Sequence, residues 1–214
     1  MTRDEALKFI LEAKVIAVIR MSDTNKLFKV TEAIRLGGVK AIEITMTVPG
    51  AIDVIRTMAQ KKAPDVLIGA GTVLNAETAV AAVRAGADFL VSPITNFDMI
   101  KACRKLDKFV APGALTPTEI VAAWESGADV VKVFPATSVG PKYFKDLKGP
   151  LPQIRLMPTG GVSIENAKDF LDCGACCVAI GTALLDKKAI AENNWSVLTQ
   201  KARQLVESLS GIQS

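Results

Sequence analysis

A lysine lies within an otherwise apolar stretch of the chain. Lys132 is the fifth residue of the run Ala-Asp-Val-Val-Lys-Val-Phe-Pro at residues 128–135, whose β-branched and aromatic side chains predict a buried strand. Burial disfavours the charged form of an amine and lowers its pKa. A neutral amine is a nucleophile that attacks carbonyl carbons and forms Schiff bases. The alternative is a strand-end lysine whose ammonium group reaches water or pairs with a carboxylate.

A carboxylate and a guanidinium group accompany this lysine on other predicted strands. Glu43 alternates with isoleucines, so its side chain points away from the apolar face that must pack against helices. Thr45 and Thr47 share the face of Glu43, and Arg20 ends the first strand on its inward face. A carboxylate in a packed interior is costly unless it is paired or protonated. Glu43 therefore belongs either to a reaction site with Lys132 and Arg20 or to a structural ion pair with one of them.

Repeated strand–helix units position these side chains. The spacing of the strands is roughly 21 to 26 residues, close to the minimum for a βα unit. Gly-Ala-Asp occurs at residues 86–88 and again at residues 127–129, each time between a helix and a strand. The repetition predicts one domain, residues 1–214, with the fold of an eightfold (β/α) TIM barrel; a doubly wound open sheet is the alternative. Strands are predicted to begin near Val15, Lys40, Val66, Asp88, Phe109, Val130, Ile154 and Cys177.

Helices are predicted between the strands, where apolar residues recur at helical spacing. An additional helix at residues 3–13 is expected to cover the barrel floor, and a closing helix is expected at residues 194–209. In such a barrel the chemistry lies at the carboxyl ends of the strands. The other predicted helices span residues 24–36, 51–62, 76–85, 97–106, 117–126 and 164–171.

Glycine-rich sequences follow the seventh and eighth predicted strands. Gly160 and Gly161 lie in Thr-Gly-Gly-Val-Ser, and Gly181 and Thr182 follow the eighth strand, where they are predicted to open a helix. Barrels commonly bind phosphate between these two loops through backbone N–H groups. We therefore predict that these four residues bind phosphate. The alternative is that the glycines only form tight turns.

The composition excludes several classes of function. The chain has 214 residues, a net charge of +4 and interspersed charges, so no nucleic-acid partner is expected. No apolar run is long enough to span a membrane, and the first residues do not resemble a signal peptide, which predicts a cytoplasmic protein. Histidine is absent, which rules out Ser-His and Cys-His nucleophile pairs as well as imidazole metal ligands.

The four cysteines present a choice between a metal site and reduced thiols. Cys173, Cys176 and Cys177 are clustered, and Cys103 lies far away in sequence. The cluster lacks a convincing fourth ligand and runs into an apolar strand. We therefore predict buried, reduced thiols and no metal site.

Taken in order, seven motifs resemble the bacterial 2-keto-3-deoxy-6-phosphogluconate (KDPG) and 4-hydroxy-2-oxoglutarate (KHG) aldolases over nearly all of the chain. The motifs are Val-Ile-Arg at residues 18–20, Ile-Glu-Ile-Thr at 42–45, Gly-Ala-Gly-Thr-Val at 69–73, Val-Ser-Pro at 91–93, Ala-Pro-Gly at 111–113, Lys-Val-Phe-Pro-Ala at 132–136 and Pro-Thr-Gly-Gly-Val at 158–162.

The resemblance implies a homotrimeric barrel and a class I aldolase that needs neither metal nor cofactor. It implies Lys132 as the Schiff-base lysine, Glu43 as the general acid-base residue, and a small keto acid phosphate as the substrate. Some relatives have an arginine for the substrate carboxylate at the position of Thr47, so Arg20 must supply the cation here. The residues expected around the carboxylate and the pyruvate portion are Arg20, Thr47, Thr72, Pro93, Phe134 and Thr159.

The expected reaction is retro-aldol cleavage of KDPG to pyruvate and glyceraldehyde 3-phosphate, with KHG as a further substrate. Two other functions fit the same residues. One is a phosphosugar isomerase or epimerase with Glu43 as its base. The other is a non-catalytic barrel that binds a phosphorylated metabolite and in which Lys132 and Glu43 form only an ion pair.

Overall fold

The computed structural model describes residues 1–210, which alternate between strands and helices after a first helix. The single-domain prediction runs to residue 214, so its last four residues lie outside the described range. The strands are β1 (Val15–Ile19), β2 (Ala41–Thr45), β3 (Leu67–Gly71), β4 (Phe89–Val91), β5 (Phe109–Ala111), β6 (Gly113–Ala114), β7 (Val131–Val133), β8 (Leu156–Pro158) and β9 (Val178–Ile180). The helices are α1 (Arg3–Ala13), α2 (Thr24–Leu36), α3 (Ala51–Lys61), α4 (Ala76–Arg84), α5 (Phe97–Lys105), α6 (Pro117–Glu125), α7 (Gly140–Lys148), α8 (Ala167–Asp172), α9 (Lys187–Ala191) and α10 (Trp195–Leu209).

All strand pairs of the described chain are parallel, and they form two sheets that meet at both edges. The first sheet has the order β5-β4-β3-β2-β1-β9, and the second has the order β6-β7-β8. Only Pro112 separates β5 from β6, and its carbonyl accepts a hydrogen bond of 2.9 Å from the Lys132 N–H group. At the other edge, Thr159 pairs with Ala179 and connects β8 to β9. The α/β barrel architecture is confirmed, and the open-sheet alternative does not fit the two connected edges.

Pro112 accounts for the difference between the predicted and the observed strand count. A single fifth strand was expected, but the segment divides into β5 and β6 because proline has no N–H group to donate to the ladder. The other strands begin within two residues of their expected positions.

Three helical features differ from the sequence-based expectations. Helix α7 was not predicted. Helix α8 begins at Ala167 rather than at residue 164, because the Asn166 side chain accepts a hydrogen bond from the Ser163 N–H group and holds this stretch as a turn. Gly181 and Thr182 form a turn rather than a helix start, and the next helix, α9, begins only at Lys187 after its capping residue Asp186. None of the described helices has the length and the apolar character needed to cross a membrane.

The apolar side chains divide into an outer and an inner cluster. The outer cluster lies between the strands and the surrounding helices and contains Ile42, Ile44 and Val133. The inner cluster fills the barrel and is closed from below by Ala6 and Ile10 of α1, which confirms the prediction that this helix covers the floor. The members of the inner cluster on the strands, or directly before one in the case of Val130, include Ile16, Ala41, Leu67, Phe89, Phe109, Val130, Met157 and Ala179.

Candidate active site

Lys132 and Glu43 both point into the barrel from buried strands. Lys132 lies in β7, two positions after the inner residue Val130 that directly precedes the strand, and it is 5% exposed. Glu43 follows the inner residue Ala41 by two positions in β2 and is 1% exposed. Strand alternation therefore places both polar groups directly above the apolar inner cluster, as the sequence predicts.

Two glycines of β3 make room for this arrangement. A Cβ atom on Gly71 would lie 1.7 Å from the Glu43 Oε1 atom, and one on Gly69 would lie 2.2 Å from the Phe89 ring. Every other residue type would displace the carboxylate or the ring. In the sequence these glycines were recognised only as part of the Gly-Ala-Gly-Thr-Val motif at residues 69–73, and their role was missed. Their spacing of two residues along a strand, facing a glutamate, is the signal that could have revealed it.

The carboxylate of Glu43 is buried without a hydrogen-bonding partner at its Oε2 atom within the described chain. Burial raises the pKa of Glu43, and the charges of Lys132 and Arg20 oppose this shift. This shift moves the pKa of the Glu43 carboxyl group toward neutral pH. A group whose pKa is close to the working pH can both accept and donate a proton. In residues 1–210, Glu43 forms no ion pair within 4.0 Å, so a closed structural pair with Lys132 or Arg20 does not account for it.

The amine of Lys132 is in an environment that favours its neutral form. Burial lowers its pKa, the charge of Glu43 opposes the shift, and Arg20 adds to it. Its Nζ atom lies 5.0 Å from the centre of the Phe134 ring. The direction of the pKa shift is the one expected from the apolar strand, and it favours the nucleophilic form of the amine.

Arg20 and two threonines surround the carboxylate. Arg20 follows β1 directly, is exposed at the mouth, and acts electrostatically on both Glu43 and Lys132. The Thr45 hydroxyl donates to the Ile19 carbonyl and lies 2.7 Å from the Thr47 hydroxyl. Thr47 is exposed, so this pair connects the interior to the mouth. The structure thus brings Arg20 and Thr47 to the same end of the barrel as Glu43.

Thr159 and Thr72 supply further polar groups at the strand ends. Thr159 is 8% exposed, and its hydroxyl has no hydrogen-bonding partner among residues 1–210. Buried polar groups are normally paired, so this hydroxyl is available to a bound molecule. Thr72 follows Gly71 with a φ of 58°, a left-handed conformation that is unfavourable for a β-branched residue. Such backbone strain concentrates at functional sites.

Phe134 and Pro93 border a cleft close to Lys132. Both line a cleft of about 340 Å³ that contains neither Lys132 nor Glu43. Gly113, which pairs with Lys132 in the ladder, lets the Pro93 backbone approach closely, since a Cβ atom there would lie 2.3 Å from the Pro93 carbonyl carbon. The Phe134 ring lines this cleft and also lies 5.0 Å from the Lys132 Nζ atom inside the barrel. It therefore lies between the cleft and the interior of the barrel.

The two glycine loops leave neighbouring strands at the same end of the barrel. Gly160 and Gly161 have φ angles of 86° and 75°, and their N–H groups donate to no acceptor within residues 1–210. A Cβ atom on Gly161 would lie 2.8 Å from the Thr137 hydroxyl, and the Gly161 carbonyl accepts a hydrogen bond from the Asn166 side chain. Thr137 and Asn166 thus shape the loop, and the sequence analysis missed both.

The second loop approaches the first strand. Gly181 passes close to β1, since a Cβ atom there would lie 3.3 Å from the Val18 carbonyl oxygen. Thr182 is exposed beside it. Because β8 and β9 are adjacent, the loops after them can face one anion together.

The cysteine cluster differs in part from its prediction. All four cysteines are free thiols, and Cys103 and Cys177 are buried. Cys173 and Cys176 are partly exposed, so the prediction of burial was wrong for these two. They lie at the junction between α8 and β9, where the chain reaches the surface at the barrel floor. Among residues 1–210, no group of three or more cysteine and acidic side chains is arranged to hold a metal ion.

Two comparisons of the sequence with known proteins point to the same family. The profile of the family "KDPG and KHG aldolase" matches residues 7–201. The 2-dehydro-3-deoxy-phosphogluconate aldolase of Haemophilus influenzae is 35% identical over 207 residues, which cover 96% of this chain and 97% of that protein. The KHG/KDPG aldolase of Escherichia coli K12 is 31% identical, with 96% of each chain covered.

A solved structure supports the same relationship. The KDPG aldolase of Legionella pneumophila, captured with pyruvate as a covalent carbinolamine intermediate, superimposes with a TM-score of 0.86 at 29% identity. The match covers 93% of this chain and 97% of that chain.

Proposed function

This chain belongs to the KDPG and KHG aldolase family, and from that premise we propose that it is a class I aldolase with Lys132 as its Schiff-base residue. The substrate is KDPG, which is cleaved to pyruvate and glyceraldehyde 3-phosphate, and KHG is a further substrate. The observation that carries the assignment of the residue is the buried amine of Lys132, whose pKa is lowered mainly by burial, beside a carboxyl group that has no partner for one oxygen.

The first step is attack of the neutral Lys132 amine on the C2 ketone of the substrate. Loss of water from the resulting carbinolamine gives a cationic imine. Glu43 supplies a proton to the departing hydroxyl group, for which its raised pKa is suited. The imine then withdraws electrons from the neighbouring carbon atoms, so the protein supplies the electrophile itself.

Glu43 also acts in the cleavage step. It removes the proton of the C4 hydroxyl group, directly or through a water molecule, and the C3–C4 bond breaks. The aldehyde product leaves, and the electron pair remains on the enamine of pyruvate. Glu43 returns a proton to C3, and hydrolysis of the imine releases pyruvate and regenerates the amine of Lys132.

The remaining residues orient the two ends of the substrate. Arg20 pairs with the carboxylate, and the free hydroxyl of Thr159 donates to the pyruvate portion. Thr72, Thr47, Pro93 and Phe134 complete the walls around this portion. The phosphate is held by backbone N–H groups of Gly160, Gly161, Gly181 and Thr182. KHG carries no phosphate and would leave that part of the site unfilled.

Reductive trapping tests the Schiff base directly. The protein is incubated with pyruvate and borohydride, digested, and analysed by mass spectrometry. We expect irreversible addition of the reduced pyruvate group at Lys132 and complete loss of turnover. Lys142→Arg is the matched control, because Lys142 is exposed and paired with Asp146, and it should be labelled like the wild type. An unlabelled Lys132 would contradict the proposal.

The oligomeric state implied by the family is a homotrimer, and we include it in the proposal. Its support is a group of exposed apolar side chains around the 340 Å³ cleft, with Ile94 47%, Phe97 58% and Phe134 36% exposed. Sedimentation should give three times the chain mass of 22.7 kDa, and Phe97→Lys should shift the protein to lower mass. A wild-type monomer would contradict this part.

A further inference from the structure

In the loop after β8, one side chain fixes the orientation of a peptide group. The Asn166 side chain donates from Nδ2 to the Gly161 carbonyl at 2.9 Å and accepts at Oδ1 from the Ser163 N–H group at 2.8 Å. A carbonyl only accepts and an N–H group only donates, so these two partners fix which end of the amide is the nitrogen. The Ser163 hydroxyl also accepts from the Asn166 N–H group at 3.3 Å, which closes the turn. Asn166 therefore holds the loop on both sides of Val162.

The Val162 N–H group points in the opposite direction from the Gly161 carbonyl. The two groups belong to one trans peptide unit, in which the C=O and N–H bonds are antiparallel. Because Asn166 holds the carbonyl, the N–H bond is directed away from Asn166. Val162 is 7% exposed, and its N–H group donates to no acceptor within residues 1–210. Buried backbone N–H groups are almost always paired, so this one is available to a bound molecule.

The loop after β9 has the same construction but uses backbone groups alone. The Gly181 carbonyl accepts hydrogen bonds from the Leu184 and Leu185 N–H groups at 2.9 and 3.2 Å. The Thr182 N–H group belongs to the peptide unit of that carbonyl, so it points away from the turn. It too donates to no acceptor in the described part of the chain. The sequence predicted phosphate binding for Thr182 and missed Val162.

The two unpaired N–H groups belong to adjacent loops. Thr159, directly after β8, pairs with Ala179 in β9, so the loops that follow these strands are neighbours. Each loop fixes a glycine carbonyl on one side and leaves the N–H group of the next residue unpaired on the other. Backbone N–H groups that converge from neighbouring turns form anion sites.

We propose that the Val162 N–H group is a further donor to the phosphate of the substrate and that Asn166 is its positioning residue. The inference rests on the proposed function, from which it takes phosphate as the ligand of these loops. The phosphate oxygens carry the negative charge and accept hydrogen bonds, which the N–H group supplies. Only the first loop owes its orientation to a side chain, so a single substitution can disturb it.

Inhibition by inorganic phosphate measures the site in variants of Asn166. Asn166→Asp keeps the acceptor for Ser163 but has no hydrogen for the Gly161 carbonyl, and Asn166→Ala removes both contacts without adding a charge. Both should raise the inhibition constant of phosphate against KDPG cleavage by about tenfold or more, the effect of losing a hydrogen bond to a charged group. A wild-type inhibition constant in Asn166→Ala would overturn the positioning role.

Asn75→Asp is the matched control for the added charge. Asn75 follows β3 at the same end of the barrel, and its side-chain oxygen accepts from the Thr78 N–H group at 2.8 Å, a role that aspartate fills equally well. This variant should keep the wild-type inhibition constant. In Asn166→Ala the KM for KDPG should rise, whereas turnover of KHG, which has no phosphate, should stay near the wild-type rate. Equal losses with both substrates would mean that Asn166 only supports the fold.

Amide chemical shifts test the Val162 donor directly. Inorganic phosphate is titrated into isotope-labelled protein and followed by heteronuclear NMR. In the wild type the amide protons of Val162 and Thr182 should move downfield and saturate together. At saturating phosphate, Asn166→Ala should retain the shift at Thr182 and lose it at Val162. A Val162 amide that does not respond in the wild type would overturn its role as a donor.

Reductive trapping separates this inference from the proposed reaction. The trapping reagent is pyruvate, which has no phosphate, so Asn166→Ala should be labelled at Lys132 like the wild type. Loss of labelling in the wild type would remove the proposed Schiff base. An unchanged phosphate affinity in Asn166→Ala would remove only the role of Asn166, so the two proposals can fail independently.

Discussion

The mouth and the floor of the barrel both bury carboxylates, but they treat them differently. At the floor, Asp129 is 0% exposed and accepts hydrogen bonds from Arg3 at 2.6 Å and from the Val110 N–H group at 2.9 Å. Asp88 accepts from the Ile68 N–H group and from Lys62. Near the mouth, Glu43 is as buried as these, but its Oε2 atom has no partner in the described chain.

The difference separates stability from chemistry. A buried carboxylate with cationic and N–H partners ties elements together, and at the floor it joins α1 and the strands. A buried carboxylate without such partners destabilises the folded state. A protein retains such a carboxylate only where the group has another function. Burial alone does not distinguish Glu43 from Asp129, because both carboxylates are buried. The two differ in whether cationic and N–H groups pair with the carboxylate oxygens.

The largest effect is expected at Lys132. Lys132→Arg should abolish turnover, because arginine retains a charge but stays protonated and cannot form the imine. Lys62→Arg is the floor counterpart and should keep turnover, since its partner Asp88 requires only a cation. Steady-state cleavage of KDPG measures both. If Lys132→Arg turned over near the wild-type rate, Lys132 would not be the Schiff-base residue, and the proposed difference between mouth and floor would be wrong.

Glu43→Gln should lower turnover by roughly a hundredfold, within the range for a lost acid-base group. The variant should still trap pyruvate slowly on Lys132. Asp129→Asn should instead leave the turnover of the folded protein unchanged and reduce the free energy of unfolding by roughly 1.5–3 kcal/mol, the contribution of a charge-assisted hydrogen bond. If both substitutions changed the same quantity, the distinction between mouth and floor would be wrong.

Gly71→Ala tests whether the carboxylate must occupy its present position. A methyl group at residue 71 would meet the Glu43 carboxylate and displace it, and a misplacement of about 1 Å can cost up to a hundredfold in rate. Gly149→Ala is the control, because its nearest neighbour would be an Asp146 carbonyl at 3.5 Å. Normal kcat in Gly71→Ala would mean that Glu43 is free to move without consequence.

A smaller loss of activity should distinguish the residues that bind the carboxylate of the substrate from those that bind its phosphate. Arg20→Ala should reduce kcat/KM by about ten- to a hundredfold for phosphorylated and unphosphorylated substrates alike, since both carry the carboxylate. Gly161→Leu should penalise KDPG more than KHG, because a side chain would block the approach of the anion to the backbone. Equal losses for the two substrates in Gly161→Leu would remove the phosphate site from this loop.

Periodicity predicted most of the framework and the inward direction of the two central side chains. Helix α1 and helix α2 have the predicted bounds, because capping residues and apolar spacing are local properties. Alternation along β2 and β7 fixed the faces of Glu43 and Lys132 in the same way. Local sequence patterns were therefore sufficient for properties that depend on one helix or one strand alone.

Features that depend on contacts between distant elements could not be predicted. The role of Gly71 depends on a glutamate 28 residues earlier in the sequence, and the turn at Ser163 depends on the Asn166 side chain folding back. No helix was predicted over the segment of α7, although Pro141 in its first turn is a residue that helix starts tolerate. Whether a buried carboxylate has partners is likewise a property of the assembled barrel.

The smallest effect concerns stability, and it should have opposite signs at the two ends. Because the folded-state pKa of Glu43 is raised, the native state favours the protonated form, and the stability that this form contributes is lost as pH rises through the folded-state pKa. Glu43→Gln removes the buried charge, so at pH values above that pKa it should increase the free energy of unfolding by roughly 1–3 kcal/mol. The gain should shrink on acidification, when the wild-type carboxyl group is protonated as well.

Thermal unfolding followed by circular dichroism between about pH 5 and pH 8 measures this change in stability, with Asp129→Asn as the variant that should lose stability. A Glu43→Gln protein less stable than the wild type near pH 8 would make Glu43 a structural carboxylate like those of the floor.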